Sequence, residues 1–599
     1  MAEKPWLGVD EHGGVPSQKR PDRDPPPHWR LDAIWATEIP TLPAVSPDGS
    51  LVAFVLAAGP VNDIYILPAT GGQARRLTTD RPTVNYWADS APAWSPDGTR
   101  IAYQRGDDVA VIPVAGGPPK AIPDVSLGAW LDEERMIVVV ERDRTTRLAI
   151  VEVSEPWPRV FGPAGGDVTD VMVGDGGRVV ATFWPKEDWN RSDIVVAQPD
   201  GEWQILVGFP DRRALDHAVD GGRVAYCVEE GDWRAVYLTD LDGTDQQLLA
   251  KDDADFGSLA WSRDGKKLAA TKSRGGQSDL VIIEPDGIVT VLAEGGSWQV
   301  PQWSNEGVVA VHEANDTAPR LMTFADRPVV LYDGAPTSVT AAPHVPFERV
   351  RFPSGDGLEI EGFLFRPANG VEPVPAVVYP HGGPTDAYGD VWDGHAQYFL
   401  DKGYAWLAIN FRGSTGYGVG FERANHNDWG VGDTADCIAA GRYLAGLDWV
   451  DGDRLAIFGA SYGSYMAVTS LVHPENPFAC GVAKYGDCNI LTSWAQGDRP
   501  GREDLERMMG HPSTNREAYR AGSPIHQIER LDRPILIAHG EKDDRVHVEQ
   551  SRELVAALQR LGKTYEYVTY PGEAHGFLGR ETQIDFYRRL ERFLDWYLL

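Results

Sequence analysis

Ser461 lies between Gly459 and Gly463 in the stretch AIFGASYGSYMAV, residues 456–468. A serine hydroxyl is a weak nucleophile until a base takes its proton, and that base needs a carboxylate to orient it. Both follow along the chain. The segment RPILIAHGEKDDRVHVEQS ends an apolar run in Asp543, Asp544 and Arg545, and YEYVTYPGEAHGFLG ends another in His575. Asp543 comes 82 residues after Ser461, and His575 comes 32 residues later, which leaves room for intervening strands and helices. Asp544 is the alternative acid. The loop in AVVYPHGGPTDAYG supplies Gly382 or Gly383, either of which, with the backbone N–H of Tyr462, is a candidate oxyanion donor. His381 is a second candidate base, but it precedes the serine and sits in the loop expected to form the oxyanion hole. The G-x-S-x-G pentapeptide alone also fits a structural serine at a packed turn. The HGGP loop before the serine, with the acid and then the histidine after it, favours nucleophilic catalysis.

Such a serine must be held up on a sharp turn between a strand and a helix, and RLAIFGASYGSYMAVTSLV reads that way. Around it lie short apolar runs, PAVVYPHGG, YAWLAINFRG, CGVAKYG, PILIAHG and YEYVTYPG, with helical stretches such as TADCIAAGRYLAGL and VEQSRELVAALQRLG between several of them. Strands alternating with helices predict a doubly wound, mostly parallel sheet covered on both faces, the α/β-hydrolase arrangement, over residues 339–599.

The preceding part of the chain repeats itself instead. AVSPDGSLVAFVL, AWSPDGTRIAYQR and AWSRDGKKLAATK each join two short strands through an Asp-Gly turn, a hairpin signal. Weaker copies place further turns near 132, 175, 220 and 306, beside those near 48, 97 and 264. Seven units at this period predict a seven-bladed β-propeller over residues 39–338, after an N-terminal extension of residues 1–38.

A chain of 599 residues exceeds one core, and its 42% hydrophobic content argues for folded domains. The formal charge of −32 argues against a nucleic-acid partner. Cys227, Cys437, Cys480 and Cys488 form no CxxC pair and show no metal-ligand spacing, H-E-x-x-H does not occur, and GYGVG at 416–420 lacks a Walker lysine or a dinucleotide fingerprint. No metal or cofactor is expected. The start of the chain has no apolar stretch of signal-peptide type, and no run reaches 18 uncharged apolar residues, so a cytoplasmic protein with no membrane association is expected.

Together HGGP, NFRGSTGYG, GASYGSYM, HGEKDDRVH and EAHGF, set behind a propeller-like repeat, resemble the prolyl oligopeptidase family of serine peptidases. The likeness is nearest to its acylaminoacyl-peptidase and dipeptidyl-aminopeptidase branches, with puromycin-hydrolysing aminopeptidases also in view. The resemblance implies a triad of Ser461, Asp543 and His575, selects Asp543 over Asp544, and gives Arg545 a substrate carbonyl to contact. It departs in Ala460 and Ser464, where many members carry glycine; both are small enough for the turn. It also implies that the propeller caps the site, which favours short peptides or aminoacyl amides as substrates.

The expected activity is therefore amide hydrolysis by an exopeptidase, whether aminopeptidase, dipeptidyl-peptidase or acylaminoacyl-peptidase. The alternatives are a small-metabolite amidase or esterase, such as an aminoacyl-nucleoside hydrolase, and a propeller binding protein with an inactive hydrolase half. Homo-oligomerisation is left open. Binding a free amine calls for a carboxylate, and Glu141, Glu229 and Glu230 on the propeller side are candidates, with solvated turn or blade-edge charges as the alternative. In AKYGDCNILTSW, Tyr485, Cys488, Leu491 and Trp494 are candidate walls of an apolar pocket. Tyr462 is expected to turn its ring toward the same pocket. Asp487 reads either as an amine-binding group or as an ordinary helix N-cap.

Overall fold

The computed structural model describes residues 8–9, 28–57, 62–78, 90–188, 190–199, 201–324 and 327–599. Most of the expected N-terminal extension thus lies outside the described residues. The chain divides into two compact units: Thr37–Ala335 with Asp390–Trp392, and Met1–Ala36 with Pro336–Gly389 and Asp393–Leu599.

The first unit is a β-propeller. Among the described residues, antiparallel four-stranded sheets occupy 39–76, 93–122, 126–161, 166–207 and 214–250, and an eight-stranded sheet occupies 255–333. In that last sheet two antiparallel sets are joined by one parallel pair, Ser278 with Ser297. The repeated turns are built as the sequence predicts. Ser46 donates to Asp48 at 2.6 Å, Ser95 to Asp97 at 2.6 Å and Ser262 to Asp264 at 2.8 Å. Gly49 and Gly98 follow with φ of 77° and 70°, the left-handed conformation that a side chain would strain.

Four tryptophans of the repeat tie one antiparallel set of strands to the set before it. Trp94, Trp130, Trp261 and Trp303 donate their indole N–H to the carbonyls of Ala44, Ala93, Ala218 and Ala260 at 2.9–3.1 Å. Apolar clusters fill the space between successive sheets, and one of them joins Val52 and Phe54 near the start of the unit to Val309 and Leu321 near its end. The ring is therefore closed by side-chain packing, with the inner strands of successive sheets buried against one another.

The second unit has strands β1 (Phe347–Pro353), β2 (Glu359–Phe365), β3 (Val374–Pro380), β4 (Ala405–Asn410), β5 (Val450–Ala460), β6 (Cys480–Lys484), β7 (Ile535–Gly540) and β8 (Tyr565–Tyr570). They form one sheet in the order β1-β2-β4-β3-β5-β6-β7-β8, extended by Gly8–Val9 alongside β8. The pairs β1/β2 and β2/β4 are antiparallel; all others are parallel. The helices used below are α1 (Gly432–Ala445), α2 (Tyr462–Val472), α3 (Ile490–Gln496), α4 (Arg499–Met509), α5 (Glu549–Arg560) and α6 (Arg580–Leu598).

Strand β5 shows why its apolar run does not alternate. Leu455 and Ile457 join the cluster that contains Met466 of α2 and Ile438 of α1. Phe458 faces Phe586 and Tyr587 of α6, with ring centroids 6.0 and 6.4 Å away. Both faces of the strand are covered, so both need apolar side chains. Among the described residues no helix is long and apolar enough to cross a membrane.

Candidate active site

Ser461 follows β5 immediately and starts α2, with φ 55° and ψ −122°. A non-glycine residue there is strained and persists only where its surroundings hold it. The grip is visible. The Ser461 amide donates to Lys484 O at 2.9 Å, and the Ser461 carbonyl accepts from the Ser464 amide at 2.9 Å. Close approach also explains the flanking glycines. A Cβ on Gly459 would lie 2.3 Å from the backbone of Gly463, and one on Gly463 would lie 2.1 Å from Pro380 O.

His575 Nε2 is 3.0 Å from Ser461 Oγ, and His575 Nδ1 is 2.7 Å from Asp543 Oδ2. The serine and histidine are part-exposed, whereas Asp543 is buried. Asp543 Oδ1 accepts the Val546 amide at 2.8 Å, and His539 Nε2 lies 3.5 Å from Asp543 Oδ2. Burial alone would raise the Asp543 carboxyl, but hydrogen bonds from His539 and His575, with their charge, hold it at about 2. It is an ionised acceptor throughout the working range. Asp544 is exposed, and its carbonyl accepts the Asp498 amide. The geometry joins Asp543, not Asp544, to the histidine.

Gly382 packs directly on Ser461: a Cβ there would be 3.5 Å from Ser461 Cβ. Gly383 is exposed with φ 116°. His381 is turned away from the serine. It is buried, lies 2.8 Å from Ser414 Oγ and 2.6 Å from Gly382 O, and stacks on Phe411 at 4.5 Å. Burial lowers its basicity.

The Tyr462 amide opens α2, but its ring does not wall a pocket. The ring is buried among Phe411, Trp429 and Tyr465, and its hydroxyl donates to Asp433. The pull of that apolar core, plus a buried carboxylate needing a donor, directs the ring inward. Burial pushes Asp433 up to about 7, and the tyrosine hydrogen bond opposes the rise.

The remaining sequence candidates fall in different places. Tyr485, φ 45°, sets its ring edge-on to His575 at 4.8 Å. Asp487 is buried, and the N-cap of α3 is Asn489, whose side chain accepts from the Thr492 amide at 3.4 Å. The capping alternative for Asp487 is therefore excluded, because the helix begins two residues later. Cys488 is buried against Gln550, with Sγ 3.1 Å from Gln550 O, and Leu491 is exposed. Trp494 is half-buried, donates to Glu506 at 2.9 Å and meets His511 edge-on. Arg545 is partly exposed and donates to Asp498 Oδ2 at 3.1 Å.

In the propeller, Glu229 is almost fully buried and bound by Arg213 through both Nε, at 2.7 Å, and its amide, at 3.0 Å. Glu230 pairs with Arg212 at 2.6 Å. Glu141 is exposed on the strand Arg135–Arg142, opposite Thr146.

Three groups escaped the sequence reading. His539 supports Asp543 from within the HGEKDD motif itself. Asp433 anchors the Tyr462 hydroxyl. Lys484 is buried at the end of β6, where burial pushes its ammonium down to about 7, with Gln583 Oε1 accepting at 3.0 Å. A lysine closing the apolar run CGVAK was the available signal. Among the described residues no group of three His, Cys, Asp or Glu could hold a metal ion, and all four cysteines are free and buried.

Residues 391–599 match the model of the prolyl oligopeptidase family, Peptidase_S9. Dipeptidyl aminopeptidase BIII of Pseudoxanthomonas mexicana is 26% identical over 622 residues, which covers 92% of this chain and 86% of that protein. Among solved structures, a puromycin-hydrolyzing peptidase of Mycobacterium tuberculosis aligns with a TM-score of 0.85 at 20% identity, over 95% of this chain and 97% of that one. The acylaminoacyl peptidase of Pyrococcus horikoshii aligns with a TM-score of 0.75 at 22% identity, over 95% and 98%. The structural likenesses establish a shared fold.

Proposed function

We propose that this chain, whose residues 391–599 match the model of the prolyl oligopeptidase family, hydrolyses amide bonds of short peptides or aminoacyl small molecules through Ser461, His575 and Asp543. One observation carries the reading: the unbroken hydrogen-bonded line from Ser461 Oγ through His575 to a buried, ionised Asp543, mounted on a strained strand-to-helix turn. His575 takes the Ser461 proton as Oγ attacks the scissile carbonyl, then hands it to the leaving amine. Asp543 fixes the imidazole tautomer and stabilises its charged form. The oxyanion is received by backbone N–H groups of Tyr462 and of Gly382 or Gly383. Water, deprotonated by His575, then releases the acyl group from Ser461.

An exopeptidase is the favoured form, because the relatives include a dipeptidyl aminopeptidase and because Tyr485 packs against the catalytic histidine, where it can shape a small acyl site. We also read the eight-stranded sheet as two blades meeting at Ser278 and Ser297. That gives a seven-bladed propeller over residues 39–338, ahead of a catalytic domain over residues 339–599; the apolar clusters between successive sheets support the count.

The test pairs a fluorophosphonate probe with an amide panel. Wild type should label at Ser461 and hydrolyse aminoacyl, dipeptidyl or N-acyl-aminoacyl nitroanilides, and Ser461→Ala should do neither. Amide hydrolysis surviving in Ser461→Ala would refute the assignment. A wild type that fails to label would point to an inactive hydrolase half.

A further inference from the structure

Asp487 is 8% exposed, and its Oδ1 has no hydrogen-bond partner among the described residues. Such a carboxylate is expensive to keep in a folded chain unless something supplies the missing donor. It occupies the turn from β6 to α3, and residues on both sides of it are tied to the catalytic machinery. Before it, Gly486 presses on the nucleophile, since a Cβ there would lie 2.6 Å from Ser461 O and 2.4 Å from Ser464 Oγ. One residue earlier, the ring of Tyr485 lies 4.8 Å from that of His575. After it, the amides of Cys488 and Asn489 both donate to Gln550 Oε1, at 3.1 and 3.0 Å. The backbone that carries Asp487 is thus held on both sides.

The titratable groups that face Asp487 include His575, His539, Asp543, Tyr465 and Cys488, and Ser493 hydrogen-bonds the carboxyl. Burial raises its proton affinity. Both histidines oppose that rise by their charge, but their ring nitrogens are bonded elsewhere. His575 is engaged with Ser461 and Asp543, and His539 with Ser551, Val546 and Asp543. The cation of the adjoining strand, Lys484, is directed to Gln583 and to the faces of Tyr485, Phe577, Phe586 and Tyr587. Among the described residues no protein group therefore supplies the missing donor to Asp487 Oδ1.

We propose that Asp487 receives a cationic nitrogen of the substrate residue that acylates Ser461, so that the enzyme selects acyl residues bearing a positive charge. The proposal rests on the amide-hydrolase reading above. The nitrogen can come from a lysyl-type side chain or from a free α-amine, and the two share one chemistry: a charge-assisted hydrogen bond in a desolvated setting.

Wild type and Asp487→Asn are compared on the nitroanilides of lysine, N-acetyl-lysine, norleucine and N-acetyl-norleucine. The corresponding amides serve as competitors of fluorophosphonate labelling, which reads occupancy without turnover. The expected result is a wild-type preference for cationic compounds over N-acetyl-norleucine. In Asp487→Asn, kcat/KM for cationic compounds should fall roughly 100-fold, with N-acetyl-norleucine nearly unchanged and the labelling rate preserved. A fall on N-acetyl-lysine identifies the side chain as the source, and a fall on norleucine but not on N-acetyl-lysine identifies the α-amine. Equal loss on all four compounds, or no cationic preference in either turnover or competition, overturns the proposal. Intact labelling in that case leaves the serine-hydrolase reading standing, whereas absent labelling in wild type refutes that reading instead.

Discussion

Lys484 Nζ donates to Gln583 Oε1 at 3.0 Å, and Gln583 Nε2 donates onward to the carbonyls of Gly576, at 2.7 Å, and Phe577. The strand next to that of Ser461 is thereby tied to the loop that carries His575. Four aromatic rings surround the ammonium at 4.7–5.2 Å, which eases its charge without removing the cost of burial.

That cost gives a stability signature with a definite sign. Burial lowers the folded-state pKa of Lys484 to about 7 from an ordinary 10.5. Between those values the unfolded chain holds a proton that the folded chain does not, so this group makes stability rise with pH across the window. Below about 7 the charging penalty is fully present. Lys484→Met should therefore gain stability relative to wild type most at pH 6 and progressively less toward pH 10, read as the difference in Tm at each pH. A pH-independent difference would show that the ammonium is not the source. Loosening of the His575 loop should also lower kcat in this variant.

Asp543 and Asp544 are neighbours with opposite surroundings, one buried under two histidines and the other exposed. Asp543→Asn keeps the shape but favours the wrong imidazole tautomer, and kcat should fall by about 10⁴-fold. Asp544→Asn should stay within a few-fold of wild type. Steady-state kinetics on one nitroanilide substrate decides between them, and a reversed pattern would move the acid to Asp544.

The flanking glycines of the turn make a prediction about sterics. Gly463→Ala would drive a methyl group into Pro380 O at 2.1 Å, and Gly459→Ala would drive one into the Gly463 backbone at 2.3 Å. Neither neighbour is a flexible side-chain tip, so strand, helix or HGGP loop must shift. Both variants should lower Tm by several degrees and abolish fluorophosphonate labelling. Ala460→Gly, which matches the commoner form of the motif, should label normally.

What the sequence made legible follows one physical rule. The SPDG turns and the strained turn at Ser461 are set by residues within a few positions of one another, where backbone sterics and alternation act directly. The order of serine, acid and histidine is also local in effect, since each ends its own strand. Partners drawn from distant strands were not legible. Nothing near Tyr462 in the chain announces Asp433, and nothing near Glu229 announces that Arg213 will face it. Of the two readings open for Asp487 the N-cap falls to Asn489 instead, because both are good caps and the length of the turn after β6 decides between them.

Glu229 carries the last prediction, because its chemistry as a candidate amine anchor and its position differ. Its carboxylate accepts from the Arg213 guanidinium and amide, and both side chains are almost fully buried. Removing one member of such a pair leaves the other charge uncompensated, which costs about 3–5 kcal/mol. Glu229→Ala should destabilise the propeller by that order in urea unfolding, and the double variant Arg213→Met/Glu229→Leu should recover most of the loss. The ratio of kcat/KM for free-amine over N-acetylated substrates should not change in the folded Glu229→Gln protein. A selective loss of free-amine substrates there would restore Glu229 as an amine anchor and set its bond to Arg213 as the competing, ligand-displaced state.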